Sequence, residues 1–414
     1  MDWEIVRLDD ICDVVGGSTP STKNEEFWGG EIRFATPTDI TNLQGREISD
    51  TKQTITPKGL SSCGARILPA GSILLTSRAT LGACAINTKP MATNQGFASL
   101  VCNERVYNWF VFYKMLALQP ELGRLGSGST FKEVSKHNVK SLILSLPPLP
   151  EQKKIAEILR TVDEAIERTA LIIDKTRELK RGLMQRLFTR GIGHTKFKKT
   201  EIGEIPEEWE RKTLQEMIDQ QIILGHLDGN HGSLYPRQYD FSDKGILYLA
   251  ANCLVNGQVD FKVAKHITTE KASTLKKGFA EDLDVLFAHN ATVGPVSVLR
   301  TTKDFVILST SLTYYRCNRT LLNPFYLYHY MDSEIFKKQY KRIMEQTTRN
   351  QVPITTQRKL YHLIPPKIEQ DRIAEILGEL DTRIREELVH KSELETLKKG
   401  LMQVLLTGKL RVAV

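Results

Sequence analysis

PLPEQKKIAEILRTVDEAIERTALIIDKTRELKRGLMQRLFTRG, residues 148–191, returns in altered form as PKIEQDRIAEILGELDTRIREELVHKSELETLKKGLMQVLLTGK, residues 366–409. Glu151 matches Glu369, Gly182 matches Gly400 and Thr189 matches Thr407, each 218 residues on, with no gap. A repeat of this kind organises a chain before any local reading does. In the first copy Ile155, Leu159, Val162, Ile166, Ala170 and Ile173 recur at three- and four-residue steps, and Leu179, Leu183 and Leu187 extend the stripe. In the second, Ile373, Leu377, Leu380, Ile384 and Leu388 do the same, followed by Leu394, Leu397, Leu401 and Leu405. That period predicts two long amphipathic helices. Pro147, Pro148, Pro150, Pro365 and Pro366 stand at their starts, and Gly191 and Gly408 fit their stops. About 38 residues at ~1.5 Å each give a rod of roughly 57 Å.

A rod that long cannot bury its own stripe, and near-heptad spacing asks for a helical partner. The economical solution pairs the two repeats as an antiparallel coiled coil, relating the halves of the molecule by a pseudo-twofold axis. Gly182 and Gly400 each cost a helix interior about 1 kcal/mol. Their recurrence at equivalent positions predicts close helix approach.

The segments preceding the helices repeat more loosely. Trp3 and Trp209 each lead into a leucine, Leu8 and Leu214, and IRFATPTDI at 32–40 resembles ILYLAANCL at 246–254. Ser77-Arg78-Ala79-Thr80-Leu81-Gly82 resembles His289-Asn290-Ala291-Thr292-Val293-Gly294. Short strands punctuated by Gly, Asn and Pro, with short helices near 107–122 and 324–346, read as a mixed α/β globule in each half. The expected fold class is α+β: two such globules separated by the paired helices.

Composition bounds the function. The chain has 414 residues, 41% of them hydrophobic, enough for two or more domains with real cores. Met1-Asp2-Trp3-Glu4 is an acidic lead unlike a secretory signal, and no apolar run approaches the ~20 residues of a membrane helix. Cys12, Cys63, Cys84, Cys102, Cys253 and Cys317 are scattered, without zinc spacing, and read as reduced thiols of a cytoplasmic protein. Net charge is +8, unevenly spread: +1 over 1–147, +6 over 148–200, +1 over 201–365 and zero over 366–414. The surplus on the first helix and its linker suits phosphate contact or a solvated helix face.

Catalytic signals fail on inspection. Asn323-Pro324-Phe325-Tyr326 is similar to the NPPY motif of amino-methyltransferases but lacks the second proline. An Asn cap followed by Pro at the first helical position explains it better. No GxxxxGK[ST] is present, and GSGST at 126–130 lacks the Lys-Ser/Thr step. No metal, cofactor or catalytic residue is expected.

The ordered motifs resemble the specificity subunit of type I restriction-modification enzymes over nearly the whole chain. The opening W-x-x-x-x-L-x-x-I with Gly16-Gly17-Ser18-Thr19-Pro20-Ser21 resembles the family's start of a target recognition domain. Leu146-Pro147-Pro148-Leu149-Pro150-Glu151-Gln152 followed by IAEIL resembles its entry into a conserved spacer helix. Lys196-Phe197-Lys198 through Ile205-Pro206-Glu207-Glu208-Trp209 resembles its central linker. The second globule departs: it has Leu224-Gly225-His226-Leu227-Asp228-Gly229-Asn230 near the place of GGSTPS, and Thr347-Thr348-Arg349-Asn350-Gln351 where the first has Gly126-Ser127-Gly128-Ser129-Thr130.

The resemblance implies target recognition domains at 1–147 and 208–365, spacer helices at 148–190 and 366–414, and a linker at 191–207. It implies a noncatalytic subunit whose domains each read half of a bipartite asymmetric site on double-stranded DNA. Two methyltransferase subunits would dock on it, and restriction subunits would join. Base readout favours Arg, Lys, Asn, Gln, Ser and Thr at loop tips. The candidates are Thr19, Lys23, Thr36, Ser77, Arg78, Thr80, Ser127, Ser129, Thr130 and Lys132 in the first domain. In the second they are His226, Arg237, Asn252, His289, Asn290, Thr292, Thr348, Arg349, Asn350 and Gln351. Lys337, Lys338, Lys341 and Arg342 cluster on one predicted helix and suit backbone phosphates. The competing reading is a coiled-coil scaffold that reads no DNA.

Overall fold

The computed structural model describes residues 3–78, 80–126, 133–345 and 350–413. The chain forms two compact units. Unit 1 comprises Met1–Ile172 and Glu387–Val414, and unit 2 comprises Ile173–Glu386.

Unit 1 is built on a five-stranded sheet in the order Cys12–Gly16, Ala98–Cys102, Ile73–Leu75, Cys84–Asn87 and Glu47–Ile48. Its first four strands pair antiparallel and the last is parallel to its neighbour. Ile73, Leu74 and Leu75 are all buried, as a central strand covered on both faces requires. The helix Asn108–Ala117 buries seven successive residues from Trp109 to Met115 and fills the core. A helix apolar on every side is one that other elements enclose. A three-stranded sheet of Gln53–Ile55, Trp28–Ala35 and Ala92–Thr93 lies beside it.

Unit 2 repeats this plan. Ile223–Asp228, Leu312–Cys317, Val285–Asn290 and Thr292–Val298 form an antiparallel four-stranded sheet. Pro324–Asp332 is the enclosed helix. Asn323 caps it, its side-chain oxygen accepting from Phe325 N at 2.8 Å and Tyr326 N at 3.3 Å. The segment after Gly191 is not featureless. Phe197–Thr200 and Gly203–Pro206 pair as a hairpin, with Ile205 buried and the Arg190 guanidinium 4.6 Å from the Phe197 ring.

The long helices span Leu149–Arg190 and Lys367–Leu405, 42 and 39 residues. At ~1.5 Å per residue they measure about 63 and about 58 Å. Within each unit they pair in opposite directions. In unit 1 Ile155 and Leu159 share a buried cluster with Leu401 and Leu405, while further along Asp163 meets Lys398 at 2.6 Å. In unit 2 Met184 and Phe188 share one with Ile373 and Leu377, while Lys180 meets Asp381 at 2.5 Å. The two ion pairs are the same pair of repeat positions with the helices exchanged. Each carboxylate also faces its unit's enclosed helix: Tyr113 Oη donates to Asp163 at 2.7 Å, and Tyr328 Oη stands 3.5 Å from Asp381.

The repeated Glu-Gln earns its place at each helix start. Gln152 Oε1 accepts from Tyr107 N at 2.8 Å and its amide donates to Pro147 O at 2.9 Å. Gln370 Oε1 accepts from Asn323 N at 2.9 Å and its amide donates to Pro365 O at 2.9 Å. Glu151 is held by Arg411 at 2.8 Å. Glu369 is held by Trp209 Nε1 and Ile192 N, both at 2.8 Å. Gly191, with φ +61°, must be glycine twice over, since a Cβ there would strike Glu369 and Trp209.

Gly182 and Gly400 do not mark close helix approach. Both face outward, and a Cβ on either would meet nothing within 4 Å. The pairing runs instead through Ile155, Leu159, Leu401 and Leu405 in unit 1 and Met184, Phe188, Ile373 and Leu377 in unit 2, whereas Leu179 and Leu397 of the expected stripe are exposed. Gly182→Ala and Gly400→Ala are therefore expected to stabilise the chain by about 0.5–1 kcal/mol each, through helix propensity. Denaturant unfolding monitored by circular dichroism checks this, and loss of stability would return the glycines to an interface. Asp163→Ala strands Lys398 away from water, and the same titration is expected to show a loss of about 3–5 kcal/mol.

Candidate nucleic-acid interface

In each unit several loops gather on one turn between two strands. In unit 1 that turn is Thr93–Phe97. Ser18 N donates to Thr93 O at 3.1 Å, Asn94 N to Ala35 O at 3.1 Å, and Ser77 N to Gly96 O at 2.8 Å. Gly17 lies so close that a Cβ would collide with the backbone of Thr93 and Asn94. In unit 2 the turn is Ser309–Ser311. Ser309 N donates to Leu249 O at 2.7 Å, Ala251 N to Ser311 Oγ at 2.9 Å, and His289 N to Ser311 O at 3.0 Å. Gly229 presses on Leu308 and Ser309 as Gly17 does on its turn. The loop that departs from GGSTPS in sequence thus holds the same place in space.

A last segment joins each group. Val134 N donates to Ser77 O at 3.0 Å, and Val352 N donates to His289 O at 2.8 Å. Beside these bonds Arg78 bridges Glu133 and Asn290 bridges Gln351. The structure therefore brings Ser77–Arg78 to Glu133 and His289–Thr292 to Asn350–Gln351.

The individual candidates fall into groups. Thr19 is half-buried, its hydroxyl bonded to Gln95, and Lys23 is exposed on the following turn. Thr36 caps Pro37–Thr41, with its hydroxyl donating to Asp39 at 2.6 Å. Arg78 and Thr80 are exposed, and Arg78 Nε lies 2.9 Å from Glu133. An exposed ion pair is worth ~1 kcal/mol or less, so this guanidinium is free to change partners. In unit 2 Asn252, Thr292 and Asn350 are exposed, while Asn290 and Gln351 are half-buried. Asn350 Nδ2 donates to Ala291 O at 2.7 Å and holds that loop tip, where Ala291 has φ +64°.

Three candidates are buried. Ser77, His226 and His289 are each about 95% covered and do not reach a groove themselves. His226 Nε2 lies 3.1 Å from Gln357 Oε1, and Gln357 in turn accepts from Tyr315 Oη at 2.8 Å. Both ring nitrogens of His289 lack a hydrogen-bond partner among the described residues. Arg237 is exposed beside the short helix Gln238–Asp240, its backbone N–H donating to Asp240 at 2.7 Å. Ser127, Ser129, Thr130, Lys132, Thr348 and Arg349 lie outside the described residues. Of the four-cation cluster on the helix Glu334–Met344, Lys337 pairs with Asp332 at 2.7 Å and Lys341 lies 3.5 Å from Glu334.

Sequence reasoning missed Asn94 and Gln95. Gln95 is exposed at the centre of the unit 1 group, with the residue type that suits an adenine edge. The available signal was Asn94-Gln95-Gly96 between two short apolar strands.

Two α/β modules, each joined to its share of two paired helices by a glutamine and a carboxylate at equivalent repeat positions and each displaying loops on one turn, define a duplicated scaffold. The description "Type I restriction modification DNA specificity domain" matches residues 1–175 and 206–396, and the chain belongs to that family. The MjaIX specificity subunit of Methanocaldococcus jannaschii is 37% identical over 227 residues, about half of either chain (52% of each). The MjaVIII specificity subunit of the same organism is 26% identical over 99% of this chain and 93% of its own. The type I restriction-modification S subunit from M. genitalium superposes with a TM-score of 0.62, at 14% identity, over 98% of this chain and 96% of that one. That likeness is one of fold. Among the described residues no helix is long and apolar enough to cross a membrane.

Unit 2 carries buried histidines with a consequence for pH. Burial lowers the His226 imidazole to about 4 and that of His362 to about 3, and burial beside Lys180 holds His329 well below the ordinary range. All three are neutral in the folded protein near neutral pH. An unfolded chain protonates histidine near pH ~6.5 and so binds more protons. Stability is expected to be full above about pH 6.5 and to fall below it, by on the order of 1 kcal/mol per pH unit for each histidine. Thermal unfolding at a series of pH values from about 7.5 to 5 measures this, with His226→Gln flattening the slope.

Proposed function

We propose that the chain is the noncatalytic DNA-reading subunit of a type I restriction-modification complex. Residues 1–147 and 208–365 act as target recognition domains, each reading one half of a bipartite asymmetric site on double-stranded DNA. The spacer helices, 148–190 and 366–414, set the separation of the halves, and 191–207 links the two repeats. Helices of about 58–63 Å exceed one duplex turn of about 34 Å, so bases between the half-sites go unread. Two methyltransferase subunits dock on this frame and supply the chemistry, and motor-nuclease subunits join them.

The observation that carries this reading is the loop group itself, built twice on the same turn from different residues. A shared scaffold with divergent tips is what two half-sites of unlike sequence require. In unit 1 the reading groups are Thr19, Lys23, Thr36, Arg78 and Thr80, joined by Gln95. In unit 2 they are Asn252, Asn290, Thr292, Asn350 and Gln351, with Arg237 as an outlying cation. Ser77, His226 and His289 hold the loops from beneath.

Arg78→Ala and Thr292→Ala test it, in complexes assembled with the methyltransferase subunits. Each is expected to relax discrimination at its own half-site by about 1–3 kcal/mol, leaving the other half-site and assembly intact. Methylation mapped over a randomised target library gives the preference. Unchanged preference in both variants would favour the scaffold that reads no DNA.

A further inference from the structure

The two units treat one groove differently. In unit 1, between the first long helix and the enclosed helix, two arginines of the chain itself lie in it. Arg160 places its guanidinium 4.4 Å from the centre of the Trp109 ring, and Arg46 reaches Asp163 at 3.2 Å. Trp109 is buried, at 7% exposure. A recess of about 500 Å³ lies beside them, lined by Tyr107, Lys153, Glu157, Arg160, Thr161 and Glu164.

Unit 2 lacks both arginines. The repeat position of Arg160 is Gly378, which has nothing within 4 Å of where its Cβ would be. Asp381, the repeat position of Asp163, meets Lys180 and has no arginine on it among the described ion pairs. Trp109 stands two residues past the N–H that Gln152 holds, and Phe325 stands two residues past the N–H that Gln370 holds. Phe325 is 39% exposed, with no guanidinium on it among the described cation–ring contacts. A cavity of about 650 Å³ opens there, lined among others by Phe325, Asp371, Ala374, Glu375, Gly378 and Asp381. Arg300 and Arg385 also border it, but Arg300 leans on Asp282 at 3.5 Å and Arg385 donates to Thr382 at 2.7 Å.

We propose that this groove of unit 2 docks an arginine side chain of a partner protein, in the place that Arg160 fills in unit 1. An aromatic face beside carboxylates is chemistry that a planar guanidinium satisfies on both counts, by stacking and by forked hydrogen bonds. Lysine matches only the charge. Asp371 is paired with Lys367 and accepts from Asn323 Nδ2 at 2.6 Å, and Glu375 is paired with Arg372, but both carboxylate side chains are half-exposed, so an incoming guanidinium would share them with these partners.

The full chain, labelled at alanine and valine methyls, is titrated with N-acetyl-arginine amide and, in parallel, with the lysine and leucine amides. The arginine probe is expected to shift the Ala374 and Val298 methyl resonances saturably, at least five-fold more tightly than lysine. Gly378→Arg supplies the missing side chain from within and is expected to abolish the response. Phe325→Ala is expected to weaken it at least five-fold by removing the stacking face. Absence of a shift, an equal response to leucine amide, or an unaltered response in both variants overturns the proposal. So does self-association of the chain that Gly378→Arg abolishes, which would give the groove to a second copy. No DNA enters the titration, so its failure is separate from failure of the DNA reading.

Discussion

A carboxylate in the middle of a long helix must find a cation or stay in water, and Asp163 does the first. Burial alone would raise its carboxyl, but Lys398, Arg46 and the Tyr113 hydroxyl hold it below the ordinary range. Burial also pulls Lys398 down, with Arg46 adding to it. The pair is thus satisfied on the acid side and costly on the basic side, as ion pairs removed from water generally are. Such a contact contributes less to net stability than to choosing one helix register over others. Asp381 and Lys180 repeat it in unit 2 at the same repeat positions. Leucines along a stripe tolerate a slip of one turn, whereas a buried carboxylate that must meet its cation does not.

The enclosed helix of each unit is tied to that register. Gln152 and Gln370 take up the N–H groups at its start, and Tyr113 and Tyr328 reach the carboxylates from its middle. The sheet packs on the enclosed helix, and the loops stand on the sheet. Position therefore passes from the helix pair to the loop group through rigid pieces. The loop tips stand at the end of that series, where the two units carry different exposed side chains. The second globule could lose GGSTPS and still keep Gly229 where Gly17 stands, because the constraint is backbone contact with the turn and not the identity of neighbouring side chains.

The legible parts were those written as periodicity or as repetition. The long helices, their pairing with each other and the short helices of each globule followed from apolar spacing and from economy of burial. The readings that failed depended on facing. Gly182 and Gly400 recur at equivalent positions, but recurrence does not mean contact: a helix of 3.6 residues per turn places them on the solvent side while Leu183 and Leu401 turn inward. Ser77, His226 and His289 belong to residue types that suit base contact, yet each sits under its loop. Asn94 and Gln95 went unnoticed because a three-residue turn has no period to detect.

From the amino-acid order alone came the duplication, the α+β class, the rod and the family resemblance, since each rests on patterns along the chain or on near neighbours in it. Tertiary structure decided which loops share a turn, which candidates face outward, and that unit 2 leaves open a groove its twin fills with Arg46 and Arg160. Those outcomes turn on residues tens to hundreds of positions apart coming within a few ångströms. Only the packing of sheet on helix and helix on helix sets such distances, and no local pattern records them.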